Sequence, residues 1–227
     1  MKGSEIKKIV LNKIQPYLTE QGYKKIESYA PSPAFIKKTD NHVSEIGFHF
    51  VSTTSVGFSR MQLSIHAVED IIMEIGIPNH TFENFKSKDT EFLVTLKDTV
   101  TPIPNLLGIY VDIKNEAQAL NYADWVLDYV KTNGSSFATQ YSYLPNVLAE
   151  MNRLESEGKY WNEILGGLAD YLFRGLIISK LCNDFDFEKK VQYCDEKLNS
   201  RPNLAVWLPY YEQLKERLKE LQPLYNV

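Results

Sequence analysis

The sequence predicts an α+β protein, with an N-terminal helix on an antiparallel β-meander followed by an all-helical C-terminal half. Apolar residues recur at helical spacing over the first twenty positions, which indicates an amphipathic helix. Two segments, Val43–Val51 and Gly57–His66, alternate apolar and polar residues as half-buried strands do. Beyond Asn133–Ser136 this alternation stops and helical patterns follow. We therefore expect an α+β meander domain at residues 1–132 and a helical region at 133–227 that packs on it.

The first helix is expected to begin near Ser4, a good N-cap residue, and to end at Gln21–Gly22. Pro16 lies inside that span and is expected to kink or divide the helix, because proline lacks the backbone donor that a helix interior needs. The stripe that would face the core comprises Ile6, Ile9, Val10, Ile14, Tyr17 and Leu18.

Further strands of the meander are predicted from short segments bounded by turn-forming residues. They are expected at Lys24–Tyr29, Ala34–Thr39, Glu91–Leu96 and Gly108–Ile113. The segment Ala67–Ile75 is compatible with a short helix or with an extension of the preceding strand. Asn115 is expected to cap a helix over Glu116–Lys131.

Four helices are predicted in the C-terminal half, at Leu144–Leu154, Tyr160–Leu181, Phe187–Leu198 and Leu204–Leu221. In the second, Leu168 shares a face with Ile164, Leu165 and Leu172, so we expect it to be buried. Gly166–Gly167 interrupts this pattern and indicates either close helix packing or a helix break. Asp170 and Arg174 are four residues apart and are expected to form a partly buried structural ion pair.

The composition of the 227 residues narrows the class of protein. A hydrophobic content of 44% is enough to bury a sizeable core. A net charge of −4 argues against a general nucleic-acid binder, which normally carries a basic face. We expect a cytoplasmic protein, because the sequence shows neither a secretory signal nor a membrane-spanning apolar segment. Cys182 and Cys194 fall among helical residues and are expected to be free, buried thiols.

No motif in the sequence names a reaction. The patterns H-E-x-x-H, G-x-x-x-x-G-K-[ST], G-x-G-x-x-G and G-x-S-x-G are all absent. The histidines do not have metal-ligand spacing with cysteine or aspartate; they are His42, His49, His66 and His80. We therefore expect no cofactor, no metal and no catalytic residue of a known type.

The pairing of the two alternating strands predicts one apolar and one polar face of the sheet. The buried face takes Ile46, Phe48, Phe50, Met61, Leu63 and Ile65. The opposite face carries Glu45, His49, Arg60, Gln62, Ser64 and His66, with His49 opposite Arg60 and Glu45 opposite Ser64. Three interpretations remain open: an ordinary solvated face, a partner-binding surface of Glu45, His49, Arg60 and Gln62, or acid–base chemistry by Glu45, His49 and Arg60.

Aromatic residues are dense in the C-terminal half, where they would lie at the core margin or form a patch for a partner. They are Tyr141, Tyr143, Tyr160, Trp161, Trp207, Tyr210 and Tyr211.

The layout of the chain resembles known families. Gly22-Tyr23-Lys24-Lys25 leads into the strands, a meander passes through Phe48 and Leu63, a helix precedes Phe137, and Tyr141-x-x-Leu144 precedes a helical tail. In this order the chain resembles uncharacterised bacterial families of domains of unknown function with an α/β-meander body. Some members of those families are similar to immunity proteins, which bind and silence a toxin of the same cell. The resemblance covers most of the chain and transfers no catalytic residue.

The favoured function is a non-enzymatic protein-binding module, and the resemblance implies a toxin-neutralising immunity protein whose partner is a toxin. One alternative is a small-molecule hydrolase or transferase that uses the polar sheet face. The other is a helical adaptor or scaffold protein that acts through its C-terminal half. Neither nucleic acid nor a membrane is expected as a partner.

Overall fold

The computed structural model describes residues 2–27, 33–50, 54–80, 82, 93–100 and 110–227. The predicted α+β architecture is confirmed, because an N-terminal helix and an antiparallel sheet precede a helical C-terminal half. One end residue of four of the predicted strands lies outside the described residues. These are Tyr29, Val51, Glu91 and Gly108. Among the described helices, none has the length and apolar character that crossing a membrane requires.

The strands are β1 (Lys24–Glu27), β2 (Pro33–Lys38), β3 (His42–Phe50), β4 (Ser55–Ile65), β5 (Leu96–Lys97) and β6 (Tyr110–Asp112). The helices of the first part are α1 (Gly3–Glu20), α2 (His66–Ile75), α3 (Glu116–Tyr129) and α4 (Ser135–Tyr141). Those of the C-terminal part are α5 (Leu144–Ser156), α6 (Asp170–Leu181), α7 (Phe187–Asn199) and α8 (Leu208–Glu220). Short 3₁₀ turns at Trp161–Glu163 and Pro202–Trp207 precede α6 and α8.

The sheet is a meander in the order β1-β2-β3-β4-β5, and β6 also pairs with β4. The β1–β2, β2–β3 and β4–β6 pairs are antiparallel. On one face, Phe35 lies opposite Ile46, and its ring meets that of Phe48 edge to face at 6.0 Å. All three side chains are fully buried. This apolar layer is the core that the alternating pattern predicts.

The chain forms two compact units, Met1–Leu63 with Asp98–Thr139, and Ser64–Lys97 with Gln140–Val227. They are called unit 1 and unit 2. Both are discontinuous in sequence, and their limits differ from the predicted division at 132/133, since segment 64–97 groups with the C-terminal helices.

In unit 1, α1 packs on α3. The helix buries Ile6, Val10, Leu11, Ile14 and Leu18, close to the predicted stripe. It continues without a break through Pro16, although a kink or division was expected. Pro16 and Asn12, whose carbonyl loses its helical donor, are both exposed, so water can satisfy that carbonyl.

The predicted break at Asn133–Ser136 is helical. A π-helical turn at Val130–Gly134 connects α3 directly to α4. Gly134 is buried, and a Cβ there would lie 3.1 Å from the Tyr129 ring, so the absent side chain permits close packing. The sequence Asn-Gly-Ser-Ser indicates a loop by composition, but packing overrides that preference here.

Unit 2 is organised around α6, which contacts α2, α5, α7 and α8. Ten of its twelve residues are buried, which explains why its pattern is apolar on all sides. The single helix predicted over Tyr160–Leu181 is wrong in its first half, because Ile164–Ala169 is a loop. Gly167 lies in that loop with a φ of +101°, a conformation that favours glycine and ends helical geometry. Of the two interpretations of Gly166–Gly167, the structure therefore has the helix break.

Candidate functional site

The four predicted partner-binding residues lie on the two central strands and belong to unit 1. Glu45 and His49 are on β3, and Arg60 and Gln62 are on β4. His49 is exposed, whereas the other three are half-buried. Arg60 and Gln62 alternate with the buried Met61, as the predicted faces require.

The face of Glu45 is less solvated than the alternation predicts. Ile36 lies directly opposite Glu45 in the register and is only 5% exposed, and Ala34 on the same strand face is buried. Ser64, expected on the polar face, is buried, and His66 begins α2 instead of ending the strand. Burial raises the pKa of the Glu45 carboxyl from 4.5 to about 7, because a charged carboxylate loses hydration there.

The hydrogen-bond partner of His49 on β4 is Ser59. The Nε2 atom of His49 shares a hydrogen bond of 2.9 Å with Ser59 Oγ. A histidine and a serine at this distance have the spacing of a general base and a nucleophile, and also of an ordinary cross-strand polar pair.

A change of phase along β4 brings Phe58 and Met61 to the same face of the sheet. Phe58 packs against Phe48, with ring centroids 5.4 Å apart. Met61, three residues later, reaches the same sheet face, since its sulfur accepts from Tyr23, and that hydroxyl also bonds Ser44. Residues three apart occupy opposite faces of a regular strand, so one residue is inserted between them, as in a β-bulge.

A buried charged network lies in unit 2, and the predicted Asp170–Arg174 pair is part of it. Arg174 also donates to both carboxylate oxygens of Glu69 on α2, at 2.7 and 2.9 Å. Thr95 donates to the same Glu69 carboxylate at 2.6 Å. Each of these side chains is nearly inaccessible. A buried, fully paired network of this kind holds elements together and leaves no reactive group exposed.

The same network shapes the loop before α6. The Oδ1 atom of Asp170 accepts from the Leu168 amide at 2.8 Å, and its other oxygen is held by Arg174. The amide of Gly166 donates to the Thr95 carbonyl at 2.9 Å. Leu168 is 87% exposed on this anchored backbone. Its predicted burial is wrong, because the helical spacing that would place it beside Leu172 ends in the loop.

Leu168 borders a pocket of about 210 Å³ within unit 2, which we call the C-terminal pocket. Its lining comes from the loop before α6, the start of α6, the end of α7 and the turn before α8. The residues are Tyr160, Asn162, Leu168, Ala169, Tyr171, Leu172, Lys197, Arg201 and Leu204. This set combines leucines, tyrosines and two cations, and its described members include neither Asp nor Glu.

Aromatic rings position the cation on α7. The Nζ atom of Lys197 lies 4.7 Å from the ring centroid of Tyr160 and 5.3 Å from that of Tyr193. Tyr171 and Tyr193 share a hydrogen bond, and burial raises the pKa of both phenols. They therefore stay neutral at physiological pH, so the only charges among the described lining residues are those of Lys197 and Arg201.

The two cysteines are free and buried, as predicted. Burial raises the pKa of the Cys182 thiol to about 12 and also raises that of Cys194. Neither forms the thiolate that a nucleophile requires near neutral pH. Among the described residues, no three His, Cys, Asp or Glu side chains are placed to share a metal ion.

Comparison of the chain with protein-family models, curated proteins and solved structures found no significant match.

Sequence reasoning missed the C-terminal pocket. Tyr160 was among the aromatic residues considered for a partner patch, and it is 48% exposed. Lys197 and Arg201 gave no signal, because single cations on polar stretches are common. Only the fold brings residues 160–172 and 197–204 together, although the Gly166–Gly167 pair did indicate where the helix breaks.

Proposed function

We propose that this chain is a non-enzymatic, cytoplasmic protein-binding module that holds its partner at the C-terminal pocket. The observation that carries the proposal is Leu168, which is 87% exposed although its backbone is fixed by the buried carboxylate of Asp170. Exposing an ordered apolar side chain gains nothing for folding. A partner that covered this side chain would remove its apolar surface from water, which favours binding.

The size of the pocket supports a protein partner over a small molecule. Sites for drug-sized ligands and cofactors usually measure ~300–1,000 Å³, whereas this pocket measures about 210 Å³. A pocket of this size suits one anchoring side chain of a larger partner. Tyr160 and Lys197 at its margin are partly exposed, amphipathic groups of the kind that surrounds such anchors.

A toxin of the same cell is the partner class that the resemblance implies. The polar strip of Glu45, His49, Arg60 and Gln62 stays a predicted second contact surface. We expect His49→Ala/Arg60→Ala to change the free energy of unfolding by about 1 kcal/mol at most. If the strip contacts the partner, the double variant weakens the complex by ~1–4 kcal/mol. Unchanged affinity together with unchanged melting would make the strip an ordinary sheet face.

Affinity capture from the native host, with two matched variants, tests the proposal. Leu168→Asp and Phe185→Asp make the same change at two exposed apolar positions, and Phe185 is 96% exposed and outside the pocket lining. Both variants should fold normally. The partner should be retained by the wild type and by Phe185→Asp and lost with Leu168→Asp. A partner that is captured equally by all three would contradict this site.

A hydrolase is the second candidate, and the His49–Ser59 hydrogen bond favours it. A fluorophosphonate probe tests this directly, because it labels a serine only when a base activates the hydroxyl. Labelling that disappears in Ser59→Ala would establish an activated serine. A wild-type protein that stays unlabelled would contradict a serine hydrolase that uses Ser59.

A further inference from the structure

The C-terminal pocket departs from the charge of the chain as a whole. The protein carries a net charge of −4, yet the charged groups among the described lining residues are Lys197 and Arg201. Asp170, which directly follows the lining residue Ala169, pairs with Arg174, and Asp195 pairs with Lys215. A group that enters the pocket therefore meets two positive charges and no carboxylate among the described lining residues.

Lys197 and Arg201 favour binding of a carboxylate for different reasons. Lys197 is held over the rings of Tyr160 and Tyr193, so its ammonium position is restricted before a ligand arrives. Arg201 is exposed and carries a planar fork of donors that matches a carboxylate. A partly positioned charge loses less conformational freedom on binding, which favours affinity.

Apolar groups lie in the same pocket. Leu172 is buried, Leu204 is half-buried and Leu168 is exposed. A ligand that satisfied only the cations would leave Leu168 and the exposed part of Leu204 in water, and a purely apolar ligand would desolvate the cations without a partner. The lining therefore selects for an apolar group with a negative charge beside it.

We propose that the C-terminal pocket binds an acidic segment of a protein partner, seating one apolar side chain against Leu168, Leu172 and Leu204 while an adjacent carboxylate pairs with Lys197 and Arg201. This rests on the proposed function, and it adds the chemistry of the partner. The occupant is a peptide segment because the volume of about 210 Å³ accommodates a side chain, while the half-buried Lys197 and the exposed Arg201 extend recognition beyond it.

A random heptapeptide library, selected on the immobilised full-length protein, tests this chemistry. Selected peptides should be enriched in Asp or Glu next to Leu, Phe or Trp. Lys197→Glu/Arg201→Glu should abolish or invert the acidic preference and weaken the best wild-type peptide at least tenfold. Lys189→Glu/Lys219→Glu changes the net charge equally at exposed positions outside the pocket, and should leave selection unchanged. Lys197→Gln/Arg201→Gln, with melting curves for all variants, separates lost binding from lost folding.

Three results would overturn the inference: no enrichment, enrichment that survives charge reversal, or 3-phenylpropionate competing as well as the best peptide. The last result would make the pocket a site for free carboxylic acids. Failure of the inference differs from failure of the proposed function. A native partner that depends on Leu168 but not on Lys197 and Arg201 contradicts only the acidic chemistry, whereas a partner independent of Leu168 contradicts the site itself.

Discussion

Tyr122 and Tyr129 lie seven residues apart on α3, and both are buried. Their hydroxyl groups should affect stability differently, because only one of them is hydrogen-bonded within the part of the chain that the structure describes. Tyr129 donates to Asp98 at 2.6 Å and accepts from the Met61 amide at 2.8 Å. Tyr122 is equally buried, but its hydroxyl has no hydrogen-bond partner among the described residues. An unpaired buried hydroxyl has lost its hydration without compensation.

We therefore expect opposite outcomes for the same substitution. Tyr129→Phe removes the donor to Oδ2 of the buried Asp98 carboxylate and the acceptor of the Met61 amide, and it should lower the free energy of unfolding by ~2–3 kcal/mol. Tyr122→Phe should change it by less than ~0.5 kcal/mol or raise it. Urea denaturation of both variants measures this. A Tyr122→Phe protein that loses as much stability as Tyr129→Phe would mean that Tyr122 has a partner.

Glu45 makes stability depend on pH. Because its pKa is raised to about 7 in the fold, the folded state binds the proton more tightly than the unfolded state. Its contribution is fully present below about pH 4.5 and is lost as the pH rises to about 7. The free energy of unfolding of Glu45→Gln should thus match that of the wild type near pH 4 and exceed it by ~2 kcal/mol at pH 8. A shift of one pKa unit corresponds to ~1.4 kcal/mol, and we reduce the total because Glu45 is partly exposed to solvent. The control is Glu20→Gln at an exposed position. If the free energy of unfolding of wild type and of Glu45→Gln changed with pH in parallel, the raised pKa of Glu45 would be contradicted.

Leu168 and Leu172 have the same side chain and opposite exposure, 87% and 1%. Leu168→Asp should alter the free energy of unfolding by no more than ~0.5 kcal/mol, as surface changes do. Leu172→Asp buries an unpaired charge and should cost ~3 kcal/mol or more. Thermal melting of the two variants checks the pair. Equal destabilisation would restore the helix that the sequence predicted through Leu168.

Helix α6 is held in place by buried ion pairs as well as by apolar packing. Arg174 connects it to Glu69 on α2 and to Asp170 at its own first turn. Arg174→Leu leaves two buried carboxylates unpaired and should destabilise by ~3–5 kcal/mol. Arg153→Leu also removes two ion pairs, with Glu150 and Glu157, but at an exposed site, and should barely move the melting temperature. Similar melting of both variants would show that the network contributes little.

The elements also show what sequence patterns can and cannot predict. Periodicity located α1, β3, β4 and α5 to within about two residues, because apolar residues recur at different spacings in helices and in strands. It failed from Tyr160 to Ala169, where apolar residues continue at helical spacing while hydrogen bonds to Thr95 and Asp170 hold a loop. At Asn133–Ser136 the error is the opposite one: turn-forming residues predicted a loop, whereas the close packing of Gly134 holds them in a helix.

At the scale of the molecule, the candidate site was harder to predict than the fold. Alternation along two strands predicts from local sequence alone that Glu45, His49, Arg60 and Gln62 share one face. The C-terminal pocket is assembled from separate stretches, so neither its shape nor its charge appears in any one of them. Likewise, the grouping of segment 64–97 with residues 140–227 depends on contacts between distant parts of the chain, such as Glu69 with Arg174.

The central claim is that Leu168 contacts a protein partner, and the most direct measurement is photo-cross-linking from that position in cells of the native host. A photoreactive amino acid at position 168 should give one dominant protein adduct, identified by mass spectrometry. The same amino acid at position 185, also exposed but outside the pocket lining, should not give it, and Lys197→Glu/Arg201→Glu should suppress it at 168. No adduct at 168, or the same adduct from both positions, would contradict the account.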